Sequence, residues 1–338
     1  MGRTTEALGA GQGYSDDVTI YRSTDQGPVP VDGEPRPRRT SWRSAPQLAV
    51  RGGLIGAAEG VPAISGGTIA LVVGLYDQLI DAAGQLLHAL RTLVSGIARR
   101  RGLAEGRRAL AAIDWPLLVP VLVGMAVFLL LAIKTIAPLL EEHPVPTHAA
   151  FFGMIAASVA VPLRMMPQRF RLLDGVLLVA GAIAAFLLTG LPQNEVSDPP
   201  LWLVFFGAAI AINALVLPGV SGSFLLLAMG LYVHVEHALD ERNLAFIGVF
   251  ALGAMVGLGS FVKLLQWLLH HRRQAMMAVL AGLMLGSLRS LWPWQSEQNE
   301  LQAPTGSLVG PILLALLGAV VIVVAIVWEA KQHKNTAD

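Results

Sequence analysis

The sequence has no cysteine. Disulfides, thiolate nucleophiles and Cys-ligated metal are excluded together, and redox compartment is left unread. Charge is scarce too: 14% of the 338 residues are Asp, Glu, Lys or Arg, against roughly 25% in an average soluble protein. Neither sign dominates, the net charge being +1, so no global field draws the chain to nucleic acid. The first residues lack the apolar h-region of a secretory signal and are expected to stay on the mature chain. Nothing calls for a cofactor or a metal.

What the chain has in excess is apolar sequence. Hydrophobic residues make up 54% of it, gathered into runs such as Leu117–Ile133, Val176–Leu188, Leu201–Leu217 and Ile312–Trp328. About 18 or more apolar residues in a row suffice for a helix to cross ~30 Å of hydrocarbon. A soluble protein of this size has room to bury one or two such helices, not this many. The expected fold is all-α: a polytopic integral membrane protein. Residues 1–45, rich in Gly, Pro, Ser, Asp and Arg, cannot bury enough surface to fold alone and are expected to be a disordered cytoplasmic tail. Residues 46–330 form the membrane domain and 331–338 a second tail. The basic stretch Arg36–Arg43 precedes the first apolar segment and reads as a topology signal or as a lipid-headgroup contact.

Lys and Arg in short loops mark the cytoplasmic side. Basic clusters fall at Arg36–Arg43, Arg91–Arg108, Arg164–Arg171, His270–Arg273 and Lys331–Lys334, while Glu141–Glu142, Glu195 with Asp198, and Glu297 with Glu300 fall between them. Threading the chain through these signs, residues 48–80 start and end inside. Residues 113–133 go out, 148–163 return and 174–191 go out. Residues 201–233 start and end outside, 244–269 come in, 276–291 go out and 308–328 return. Both termini are expected in the cytoplasm, the protein spanning the membrane several times.

The chain repeats itself. Pro62, Ser65, Gly66, Leu71, Gly74, Leu75 and Tyr76 recur 156 residues on as Pro218, Ser221, Gly222, Leu227, Gly230, Leu231 and Tyr232. A second block recurs at an offset of 129: Gly124, Lys134, Gly153 and Ser158 match Gly253, Lys263, Gly282 and Ser287. Repeat one spans about 46–165 and repeat two about 200–295, with helices at about 174–191 and 308–328 linking and ending them. By the topology above, copy one starts from inside and copy two from outside, so the repeats are expected to be inverted. That arrangement is typical of secondary transporters, whose sites lie near the midplane between repeats.

Each motif breaks an apolar segment. Pro62 and Pro218 remove an amide donor, and neighbouring glycines, Gly219 among them, permit sharp turns. Ser65, Thr68, Ser221 and Ser223 are candidate caps for the next half-helix. Broken backbone at membrane depth survives only where protein or a wet cavity satisfies it, so each motif is expected to form a re-entrant helix pair. Two amide-rich helix starts facing one another would bind an anion, phosphate above all. Ser65, Gly66, Gly67, Thr68, Ser221, Gly222 and Ser223 are the candidate ligands. The competing account is a packing kink built of small residues.

Charges within apolar zones are costly and usually functional. Glu59 reads as a proton-coupling carboxylate or substrate contact, or else as a partner for Arg51. Lys134 and Lys263, at matching positions, read as phosphate ligands or as snorkelling side chains. Arg51, Arg164 and Arg289 read as interface anchors, Asn213 as a helix–helix hydrogen bond, and Trp292 with Trp294 as an interfacial belt.

Glu59-Gly-Val-Pro-Ala-Ile-Ser-Gly-Gly-Thr68 with Gly74-Leu-Tyr76, and Leu217-Pro-Gly-Val-Ser-Gly-Ser223 with Gly230-Leu-Tyr232, resemble the bacterial family long called domain of unknown function 368. Gly282-Leu-Met-Leu-Gly-Ser-Leu-Arg289 before Trp292-Pro-Trp294 adds to the match, which covers roughly residues 46–328. The resemblance implies a polyprenyl-phosphate transporter, not an enzyme. It would flip undecaprenyl or decaprenyl phosphate from outer to inner leaflet of the bacterial plasma membrane, to recycle the carrier of cell-wall precursors; proton or sodium coupling is a separate expectation, which Glu59 suggests. Two departures stand out: Glu59 replaces the family's usual Asp, and Ala63 its usual Gly. A membrane polyprenyl-pyrophosphate phosphatase uses a similar motif but continues Ser-Arg-Ser, whereas Gly66 and Gly222 follow the serines here. A transporter of small organic anions is the other alternative.

Overall fold

The computed structural model describes residues 21–24, 27–30, 40–60, 65–99, 103–191, 196–296 and 300–335. The chain divides into two units, residues 1–39 and 40–338. In the first, β1 (Tyr21–Thr24) pairs antiparallel with β2 (Gly27–Pro30), Tyr21 opposite Pro30. Pro62 and its neighbours Val61, Ala63 and Ile64 lie outside the described residues.

The second unit is helical. Its first half runs α1 (Ala45–Glu59), α2 (Gly66–Val72), α3 (Tyr76–Ala98), α4 (Ala104–Ala112), α5 (Trp115–Glu142), α6 (Pro144–Ser158), α7 (Ala160–Arg164) and α8 (Leu172–Leu188). Its second half runs α9 (Leu201–Val216), α10 (Gly222–Ala228), α11 (Tyr232–Asp240), α12 (Leu244–His271), α13 (Arg273–Ser287) and α14 (Val309–Asn335). Among the described residues, five helices are long and apolar enough to cross a membrane: α5, α6 with α7, α12, α13 with the turn after it, and α14. At 28 residues each, α5 and α12 reach about 42 Å, beyond the ~30 Å of hydrocarbon. The protein is a multi-pass all-α membrane protein.

The repeat in the sequence is a repeat in packing. In α5, a methyl on Gly124 would overlap the Ala49 carbonyl of α1; in α12, one on Gly253 would overlap the Phe205 carbonyl of α9. Ala49 and Phe205 are themselves 156 residues apart. Gly52 lies against Val121 and Gly56 against Met125, four residues on in both helices, so α1 and α5 run parallel. The pair α9 and α12 does the same, through Phe205–Gly253 and Ala209–Gly257.

The correspondence reaches beyond the repeats as their sequence delimits them. Gly153 of α6 rests on Ala315 of α14, and its match Gly282 of α13 rests on Leu178 of α8. Thus α8 and α14 hold equivalent places, and each packs on the penultimate span of the other half. At such contacts glycine lets backbones approach, which is how helices associate where lipid is as apolar as their side chains.

The short helices α2 and α10 end alike. Gly74 and Gly230 take the left-handed conformation, with φ 69° and 70°. The amide of Leu75 reaches back to the Ala70 carbonyl and that of Leu231 to the Leu226 carbonyl, 2.9 and 2.8 Å. This is the six-residue closure that glycine permits at a helix end. After it the chain turns sharply: α10 and α11 meet at 102°. The core gathers around these turns, where Leu75, Leu231, Met277, Leu280 and Met284 are fully buried.

Candidate functional site

The two breaks meet. Ser65, 4% exposed, donates its hydroxyl to the Leu217 carbonyl, 3.0 Å away. Thr68, 1% exposed, accepts the Gly219 amide at 3.0 Å. A Cβ on Gly67 would stand 3.0 Å from the Val216 carbonyl oxygen and 3.2 Å from the Pro218 nitrogen, so backbone rests on backbone here. Gly219 is required on two counts. Its φ is 82°, and a side chain would collide with the Leu283 and Met284 backbone of α13.

These bonds reassign the expected caps. Ser65 stands before α2 but makes no cap bond with its side chain; its hydroxyl is turned across the break to Leu217. Glu59, the last residue of α1, takes that place: its carboxylate accepts the Gly66 amide at 2.7 Å. Thr68 lies inside α2 and joins it to Gly219 instead of capping it. In the second copy Ser221 does cap, accepting the Phe224 amide at 3.4 Å, and its hydroxyl also bonds that of Ser223 at 2.9 Å. Leu215 stands where Glu59 stands in copy one, so the two breaks are chemically unlike.

A cavity of about 590 Å³ adjoins the junction. Glu59, Gly66 and Gly67 line it beside Tyr76 of α3, Met125 of α5 and Val216 of α9. Leu122 of α5 lines it also and is 52% exposed, so the cavity reaches the outer face of the helix bundle. The Tyr76 hydroxyl is buried and has no hydrogen-bond partner among the described residues. A buried hydroxyl left unpaired costs about 1–3 kcal/mol; the oxygen is closed off from the cavity, so a ligand there reaches it only once the wall shifts. Tyr76 is not among the residues that the motif chemistry singles out for the site. Its recurrence as Tyr232 is the signal that points to it.

Other expected ligands lie elsewhere. Ser221, Gly222 and Ser223 do not line this cavity. Lys134 and Lys263 are exposed on α5 and α12 and do not line this cavity. Arg51 is half-buried on α1. Arg289 packs on α8: its guanidinium lies 4.9 Å from the Phe186 ring centre and donates to the Phe186 carbonyl at 3.1 Å. The Asn213 side-chain oxygen is buried without a partner among the described residues, so the expected interhelical bond is not made by that atom. Trp294 is buried, with its indole nitrogen donating to the Thr305 carbonyl at 3.2 Å, and therefore pins a loop. Among the described residues no three His, Asp or Glu side chains are placed to hold a metal ion.

The family profile described as VCA0040-like, undecaprenyl phosphate translocase-like, matches residues 55–309. The chain belongs to this family. The matched span includes both breaks and every residue of the junction. Two curated relatives carry the name polyprenyl-phosphate transporter. The protein from Vibrio cholerae is 37% identical over 246 residues, 73% of this chain and 77% of its own. The protein from Staphylococcus aureus is 28% identical over 267 residues, 72% of this chain and 85% of its own. No solved structure matches the chain.

Proposed function

We propose that this protein translocates polyprenyl phosphate from the outer to the inner leaflet of the bacterial plasma membrane, returning the lipid carrier of cell-envelope precursors without chemical change. The relatives' names support the substrate class. The observation that carries the reading is the junction itself: two interrupted segments, bonded to each other by Ser65–Leu217 and Thr68–Gly219, beside a mostly apolar cavity that reaches the lipid-facing surface.

The chemistry fits an amphiphile. Apolar walls from Leu79, Ile80, Met125 and Leu129 suit the first isoprene units of a tail, and the outer opening lets the rest remain in lipid. The phosphate is placed against the backbone around Gly66 and Gly67, where a shift of the cavity wall would bring the unpaired Tyr76 hydroxyl to it. Glu59 already holds the Gly66 amide, and two anions do not share one donor at close range. Phosphate entry therefore requires Glu59 to turn away or to take up a proton, which gives a route to proton coupling. The breaks are read as re-entrant and the repeats as inverted, with both termini in the cytoplasm. Parallel packing of α1 with α5 and of α9 with α12 is consistent with that topology.

Reconstitution tests this. A fluorescent polyprenyl phosphate placed in one leaflet of proteoliposomes should become protected from an impermeant quencher only when the protein is present, at a rate set by an imposed pH gradient. Uptake of soluble organic anions without lipid movement would overturn the proposal, and so would release of inorganic phosphate from polyprenyl pyrophosphate.

A further inference from the structure

Repeat one carries a segment that repeat two lacks. Between the two repeated blocks the offset falls from 156 to 129, so 27 residues are extra in the first copy. They account for the difference between α3 with α4 and the nine-residue α11. The start of α3 belongs to the bundle: Arg273 of α13 donates to Asp77 at 2.8 Å, and Gln266 of α12 donates to Asp81 at 3.2 Å. Leu87 still faces Gly259 of α12, and further along the helix Gly106 of α4 seats against Leu93.

This outer part has two exposed faces of opposite character. Leu86, Leu90, Val94 and Ile97 recur every three or four residues and share one side of the helix. All four are exposed, Val94 and Ile97 at 65%. Arg91 on α3, Arg99 just after it, and Arg107 and Arg108 on α4 are exposed as well. From residue 91 to 108 the sequence holds six arginines and a single acid, Glu105. The level of the arm is marked by Trp115, 40% exposed at the start of span α5, whose indole nitrogen donates to the Leu110 carbonyl of α4 at 2.9 Å. Tryptophan at the end of a span sits at the headgroup boundary.

We propose that the outer half of α3 together with α4 forms an arm that lies on the membrane surface, with its apolar stripe in the headgroup–acyl boundary and its arginines on anionic lipid headgroups. An apolar stripe beside an arginine-rich face is how interfacial helices bind, and the affinity depends on anionic lipid. The arm stands outside the repeated architecture, so this contact is separate from the junction and its cavity.

Hydrogen exchange on the full-length protein in nanodiscs tests it, using phosphatidylcholine alone and phosphatidylcholine with phosphatidylglycerol. Amides in residues 88–98 and 104–112 should exchange about tenfold more slowly with the anionic lipid, as several arginines on a charged surface imply. Those of α13 should be unchanged. Raising the salt to about 0.5 M should shrink the difference by screening. The variant R91Q/R99Q/R107Q/R108Q should abolish it. Equal exchange in the two lipid mixtures, or a difference indifferent to salt, overturns the proposal. Protection that follows the number of protein copies per disc overturns it too, because the stripe would then face a second copy.

Discussion

The hydroxyl of Ser65 lies 3.0 Å from the carbonyl oxygen of Leu217, across 152 residues of chain. A serine from one repeat thus adds a second hydrogen bond to the carbonyl just before the other repeat's proline, which also accepts the Val220 amide at 3.3 Å. Beside it Thr68 accepts the Gly219 amide. Each break is held open by the other.

This mutual support makes Ser65 and Thr68 the positions to test first. Thr68→Val leaves the buried Gly219 amide unpaired, at about 1–3 kcal/mol, and Ser65→Ala removes one of the two hydrogen bonds at the Leu217 carbonyl, worth about 1 kcal/mol. Both should lower the thermal midpoint in detergent and slow lipid translocation together. Ser221→Ala removes a cap worth about 1 kcal/mol at a half-exposed position, and should retain more activity than either. Equal loss in all three would show that the junction has no special standing.

Tyr76→Phe separates ligand binding from folding. The variant deletes a hydroxyl that has no partner among the described residues, so the midpoint should hold or rise slightly. If the hydroxyl meets the phosphate, translocation should fall about tenfold, the loss of one hydrogen bond to a charged group. Unchanged translocation at unchanged stability would remove Tyr76 from the site.

Glu59→Gln keeps an acceptor for the Gly66 amide but not the negative charge. The fold should persist, since the helix start remains capped. Translocation should lose its response to a pH gradient if the carboxylate carries the coupled proton. A gradient response equal to the parent's would place the coupling elsewhere.

The glycine contacts allow a controlled comparison. A methyl on Gly153 would overlap the Ala315 carbonyl, whereas one on Gly248 of α12 would meet nothing within 4 Å. Gly153→Ala should therefore destabilise by about 1–3 kcal/mol through overpacking. Gly248→Ala should be neutral or gain up to about 1 kcal/mol from helix propensity.

Because the chain is free of cysteine, single cysteines report sidedness cleanly. Gly96→Cys, in the arm, should react with an impermeant maleimide only from the cytoplasmic side, and Val196→Cys only from outside. The reverse pattern would invert the topology.

Much of this architecture was legible because membrane helices write themselves plainly. Apolar length predicts the spans around α5, α12 and α14, and the 156-residue offset leads to two turns that prove alike down to Gly74 and Gly230. Long-range polar pairing was not legible. Nothing near Ser65 in sequence says that its hydroxyl turns to Leu217, and a serine ahead of a glycine-rich start reads most naturally as a cap. Glu59 won that role by proximity in space, seven residues before the amide it holds. Residues 91–108 read as a loop because their arginines mask the apolar stripe, which emerges only with helical register. The kinship of α8 and α14 escaped because it rests on where each helix packs, not on shared residues.

That kinship has a mechanical consequence. With α14 clasped to α6 and α8 clasped to α13, each half of the chain ends inside the grip of the other. The halves cannot swing apart as two rigid clamshells without tearing both clasps. Any bodies that move past one another must therefore be drawn across the halves of the chain, keeping α6 with α14 and α8 with α13.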